Sequence, residues 1–134
     1  MSVFSGCIAL SLIIRFNDLK FSRILVSKQF FTLFFTSRRF NAIALYPFVI
    51  LKNEQLANNK ELLLHERIHL RQQIELLIFP FYILYLSEFI VRFLFTFNAA
   101  WAYRNLSFER EAYRNMNNHD YFKDRKFWAW LRYF

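Results

Sequence analysis

Hydrophobic and polar positions divide the chain into stretches of different period. Residues 1–14 are apolar and are followed by Arg15, Asp18 and Lys20. They lack the basic start and small-residue cleavage site of a secretory signal, and they are short of the about 20 apolar residues that a bilayer span needs. An interfacial anchor or a core helix is expected there. Residues 21–26 and 30–35 are short apolar runs to which periodicity assigns no element. Residues 41–51, NAIALYPFVIL, are rich in β-branched and aromatic types and carry Pro47 inside the run. A proline in such a run predicts a strand at a sheet edge or a bulge, and an edge could receive an extended peptide as an added strand. Asn58 and Asn59 then supply a turn and an N-cap for a helix starting at Lys60.

In that helix, KELLLHERIHLRQQIELL, the residues Leu62, His65, His69, Gln72 and Leu76 share one face at spacings of three and four. Pro80 is expected to end or kink it. Residues 76–103 form a long apolar stretch, interrupted by Pro80, Glu88 and Arg92. Glu88 and Arg92 can pair with each other on a helix, which lowers the cost of burying both. A buried core helix shares this pattern. A transmembrane or re-entrant hairpin is preferred, because no other part of so short a chain could cover this much apolar surface. Both flanks are basic, so charge gives no orientation. After Arg104 the chain turns polar, and residues 108–116 predict a second helix carrying Glu109 and Glu111. The tail FKDRKFWAWLRYF suits either an aromatic belt at a membrane interface or a terminal helix packed on the domain.

A chain of 134 residues accommodates one domain. The division expected is an apolar N-terminal extension or membrane anchor over residues 1–36 and a folded domain over residues 37–134. With Gly once and Pro twice, tight turns are scarce and helices are favoured. The fold expected is therefore mainly α, with α+β as the variant. It combines a His-bearing helix, a hydrophobic helical hairpin and a second Glu-bearing helix, and a short edge strand or small sheet comes before the first of these. A net charge of +8 suits anionic lipid head groups or nucleic acid. The hydrophobic share of 56% and the lack of RNP-like, KH-like or zinc-finger spacing favour a membrane lipid surface, and no nucleic acid partner is expected. The single Cys7 excludes an internal disulfide and a cysteine-rich zinc site.

The chemistry lies in His65-Glu66-Arg67-Ile68-His69, an HExxH motif on the predicted helix. Histidines four apart project from one face, so both imidazoles can reach a single Zn2+. Glu66 lies roughly 100° around the helix from His65, beside the metal rather than on it. From there a carboxylate can take a proton from zinc-bound water, whose pKa the metal lowers to about 7. The apolar neighbours Leu62, Leu63, Leu64, Ile68 and Leu70 fit a buried helix better than a solvated one. Glu75 is a poor third ligand, because Gln72 stands where a helix-breaking Gly would be needed to swing it round. His119 lies in a turn-like Asn117-Asn118-His119-Asp120. Gln72 shares the histidine face and is a candidate to hydrogen-bond a ligand histidine or a substrate.

Downstream stands Phe108-Glu109-Arg110-Glu111-Ala112-Tyr113. HExxH followed by a later helix with Glu-x-x-Ala resembles the gluzincin class of zinc peptidases, and this segment is similar to the motif of membrane-embedded CAAX prenyl proteases and their bacterial relatives. The resemblance implies Zn2+ as cofactor, with Glu109 as third ligand and Ala112 as the small residue that lets the two helices approach. Glu111 is the rival ligand. Tyr113 stands where those proteases usually have an Asp, and is either a packing tyrosine or a donor to a developing oxyanion. Residues from about 40 onward also resemble a group of small uncharacterised bacterial membrane-associated proteins, which share a Tyr-Pro or Phe-Pro strand, HExxHLRQQxELL, an apolar PFYI segment and FEREAY. That group has no established activity to lend; the gluzincin resemblance implies a zinc metallopeptidase-like domain over residues 37–134, acting on a peptide or protein substrate at a bacterial inner membrane. A partner subunit is compatible with so small a chain. The alternatives are a non-catalytic zinc-binding protein and a membrane-anchored interaction protein.

Overall fold

The computed structural model describes residues 23–34 and 40–134, so the expectations for residues 1–14 and the boundary at 36/37 lie outside the described residues. The fold is mainly helical with one small sheet. Strands β1 (Arg23–Val26), β2 (Ala42–Leu45) and β3 (Phe48–Leu51) form that sheet in the order β1-β3-β2. A short helix α1 (Lys28–Phe34) follows β1. β1 runs parallel to β3 with Ile24 opposite Val49, and β2 runs antiparallel to β3 with Leu45 opposite Phe48. The two short N-terminal runs that periodicity left open are thus a strand and a helix.

Residues 41–51 are not one edge strand but a hairpin. Pro47 has no N–H for a ladder, and it stands with Tyr46 in the turn, across a cis bond, between β2 and β3. β2 keeps the edge position and β3 becomes the central strand. Central placement buries both faces of β3, which explains why Phe48–Leu51 is a continuous apolar run instead of an alternating one.

Asn59 caps α2 (Lys60–Glu75), its side-chain oxygen accepting from Leu62 N–H at 3.0 Å. The helix is buried on most sides. Leu63 and Leu70 pack on the sheet against Ile24, Ala44, Val49 and Leu51, while Leu64 and Ile68 pack against Ala112. Pro80 does not end this helix. The break comes earlier, at Leu77 and Ile78, whose φ values of 57° and 59° lie in the left-handed region that costs a non-glycine residue on the order of 1 kcal/mol. Pro80 falls in the first turn of α3 (Phe79–Thr96), where a missing N–H breaks no helical bond.

α3 and the short α4 (Ala99–Arg104) form the expected apolar hairpin, reversed through left-handed Phe97 and an Asn98 cap on Trp101 N–H. Among the described residues α3 is the one helix long and apolar enough to cross a membrane, and most of it is exposed. Its buried Glu88 accepts from Arg92 Nε and Nη2 at 2.9 and 2.7 Å, and from Ser107 N–H and Oγ at 2.9 and 2.7 Å. That carboxylate fixes the start of α5 (Ser107–Asn115) onto α3. The C-terminal segment contains α6 (Tyr121–Asp124) and a 3-10 turn over Ala129–Tyr133. It packs on α5 by stacking Trp130 against Phe108 at 4.6 Å, whereas Trp128 and Phe134 stay exposed.

Candidate metal centre

Helix α2 presents His65 and His69 one turn apart, and α5 crosses it where Ala112 meets Leu64 and Ile68. A small side chain at that crossing lets the backbones approach, which brings Glu109 to the imidazoles. His65 Nε2 and His69 Nε2 stand 3.1 Å apart. Glu109 Oε2 lies 3.3 Å from His65 Nε2, and Oε1 lies 3.3 Å from His69 Nε2. The three side chains are buried, and their donor atoms lie within 4.8 Å of one another.

This set could hold a metal ion. Ligands about 2.0–2.1 Å from a tetrahedral ion stand roughly 3.3 Å from each other, and the closest approaches here are 3.1, 3.3 and 3.3 Å. Glu109 Oε2 is buried with no hydrogen-bond partner among the described residues. It faces His65 Nε2 at 3.3 Å, and a buried carboxylate is costly unless positive charge meets it. Burial alone would raise the Glu109 carboxyl, but the two histidines hold it well below the usual carboxylate range. Burial likewise lowers His69, and the Glu109 carboxylate overrides it and pushes the imidazole up to about 9. His65, where burial dominates, is lowered.

Glu66 sits beside this group and is not part of it. It faces the sheet, next to the Ala44 backbone, and burial raises its carboxyl to about 7. Gln72 Oε1 accepts from His69 Nδ1 at 2.8 Å, the His69 proton being required there because both Gln72 amide hydrogens go elsewhere, to Phe108 O and Glu111 Oε2. Glu111 therefore faces away from the imidazoles, toward Gln72, Tyr121 and Arg125. Glu75 also turns to Arg125. The Tyr113 and His65 rings meet at a steep angle with centroids 4.6 Å apart, and the Arg104 guanidinium lies over the Tyr113 ring. His119 is exposed in the turn before α6.

Three participants were not foreseen. Tyr85 donates its hydroxyl to Glu109 Oε1 at 2.7 Å. Gln73 donates to Ala44 O and accepts from Tyr46 N–H, each at 2.9 Å, so it binds the outer edge of β2 like a strand. Arg125 reaches the back of the centre from the C-terminal segment. None of these has a spacing signature, because each acts across a distance in sequence that only the fold closes.

A cavity of about 360 Å³ opens onto His65, Glu66, His69 and Glu109. Its remaining walls are largely apolar and include Ile43 and Leu45 of β2 and Phe81 and Leu86 of α3. The chain matches no protein-family model, no curated protein and no solved structure.

Proposed function

We propose that this chain is a zinc-dependent peptidase that works at a membrane surface. The observation that carries the reading is the convergence of the buried His65, His69 and Glu109, whose donor atoms lie within 4.8 Å of one another. His65, His69 and Glu109 would hold the ion, which supplies Lewis acidity toward a substrate carbonyl and toward water. Gln72 orients His69, and Tyr85 orients Glu109. Glu66, on the cavity wall between the donors and β2, is the group placed to accept a proton at its carboxylate oxygens and pass it to a leaving amine. The apolar walls exclude bulk water and accept apolar side chains. Because Gln73 holds the β2 edge at Ala44 and Tyr46, an extended substrate would lie along the part of β2 before Ala44. The exposed apolar face of α3 supports a lipid-facing location, which the resemblance would place at a bacterial inner membrane.

The test is hydrolysis of a fluorogenic peptide library by the zinc-loaded chain in detergent, beside Glu66→Gln. Retained zinc with at least a hundredfold loss of hydrolysis in Glu66→Gln is the expected result. Zinc binding without hydrolysis in the wild type would leave a non-catalytic zinc protein, and equal rates in the variant would overturn the role given to Glu66. A membrane-anchored interaction protein would bind no zinc.

A further inference from the structure

Arg125 lies on neither of the helices that carry the metal donors, yet its guanidinium is buried between them, with 2% of its side chain exposed. Toward α2 it grips Glu75, with Nη1 on Oε1 and Nη2 on Oε2, the latter at 3.1 Å. Toward α5 its Nε donates to Glu111 Oε1 at 2.6 Å. The Tyr121 hydroxyl donates to the same Glu111 oxygen at 3.0 Å, and Trp128 N–H donates to Glu75 Oε2 at 3.2 Å. Held this way from outside, Glu111 accepts from Gln72 Nε2 on its inner Oε2 at 3.0 Å. The other Gln72 amide hydrogen goes to Phe108 O at 3.1 Å. Reversing the Gln72 amide would set its oxygen against a carboxylate and a carbonyl, so its oxygen must face His69 Nδ1. A proton held on Nδ1 leaves Nε2 as the atom that faces His65 and Glu109.

We infer that Arg125 is a positioning residue for the metal centre, acting through Glu111 and Gln72 to fix the ring orientation of His69 and the proton on its Nδ1. The inference rests on the metal reading for its effect on zinc. The hydrogen bond it describes belongs to the metal-free chain as well. A Lys at this position keeps the charge but cannot span two carboxylates with a planar fork.

The experiment is a double-mutant cycle on the full chain with two readouts. One is zinc affinity by competition titration. The other is exchange of the His69 Nδ1–H proton, followed by NMR on histidine-labelled protein without metal. Arg125→Lys is expected to weaken zinc about tenfold or more and to speed Nδ1–H exchange. Gln72→Leu should do the same, and the double variant should be no worse than Gln72→Leu alone. Wild-type affinity and exchange in Arg125→Lys, or effects that simply add, would overturn the inference. Should the wild type take up no zinc, the metal reading fails, and the exchange measurement still decides the relay. Should Arg125→Lys not fold by circular dichroism, Glu111→Gln, of nearly the same volume, takes its place in the cycle with the same expected results.

Discussion

Glu88 is an acid in the middle of an apolar helix, and its four donors show why it is there. Arg92 offsets its charge from one turn away, while Ser107 N–H and Oγ tie it to the first turn of α5. Replacing it with Ala leaves Arg92 and the α5 terminus without their acceptor, and should cost about 3 kcal/mol in urea unfolding of the detergent-solubilised chain. Gln73→Leu removes both hydrogen bonds to the β2 edge and should cost on the order of 2 kcal/mol by the same measurement. Unchanged midpoints would mean these contacts do not hold the fold. At this scale the sequence was legible where partners are close neighbours. The Glu88–Arg92 pair and the two histidines follow from helical spacing alone. Glu109 follows only from the resemblance to a motif, in which the spacing to Ala112 is the one feature that separates it from Glu111. The fold separates them, turning Glu109 to the imidazoles and Glu111 to Arg125. Tyr85 and Arg125 had no local signal at all.

Elements were readable in proportion to their length and their caps. α2 begins where Asn59 and the following apolar periodicity place it. The hairpin over β2 and β3 was missed because its turn is Tyr46-Pro47, without the glycine or asparagine that marks most two-residue reversals. The break before α3 was displaced for a similar reason, since Leu77 and Ile78 adopt conformations usually left to glycine. β1 and α1 are short apolar runs whose identity is set by pairing with β3 and by packing, not by period. α3 carries its own prediction. At 18 residues it is about 27 Å long, close to the hydrocarbon thickness of a bilayer, and Ile83 and Ile90 lie on its exposed face. The chain should float with anionic phospholipid vesicles in a density gradient. Ile83→Lys with Ile90→Lys should reduce the bound fraction more than tenfold, since each lysine costs on the order of 2.5 kcal/mol at depth. A chain that stays with the soluble fraction, or a double variant that floats equally well, would refute the lipid-facing role of α3.

The described residues are arranged as supports around one point. The sheet positions α2, Gln73 joins that helix to β2, Glu88 anchors α5 to α3, and the C-terminal segment closes over α5 and reaches the centre through Arg125. Scarce glycine and proline correctly predicted a mainly helical chain, and the β-branched and aromatic run at 41–51 its small sheet. The convergence of three buried donors from two helices is a property of the crossing, which composition cannot express. The most direct measurement is zinc content of the purified full chain by elemental analysis, with His69→Ala and Glu109→Gln beside it. About one zinc per chain is expected, lost in His69→Ala and weakened in Glu109→Gln. A wild-type chain that takes up no zinc after reconstitution, or variants that bind it as well as the wild type, would contradict the metal reading.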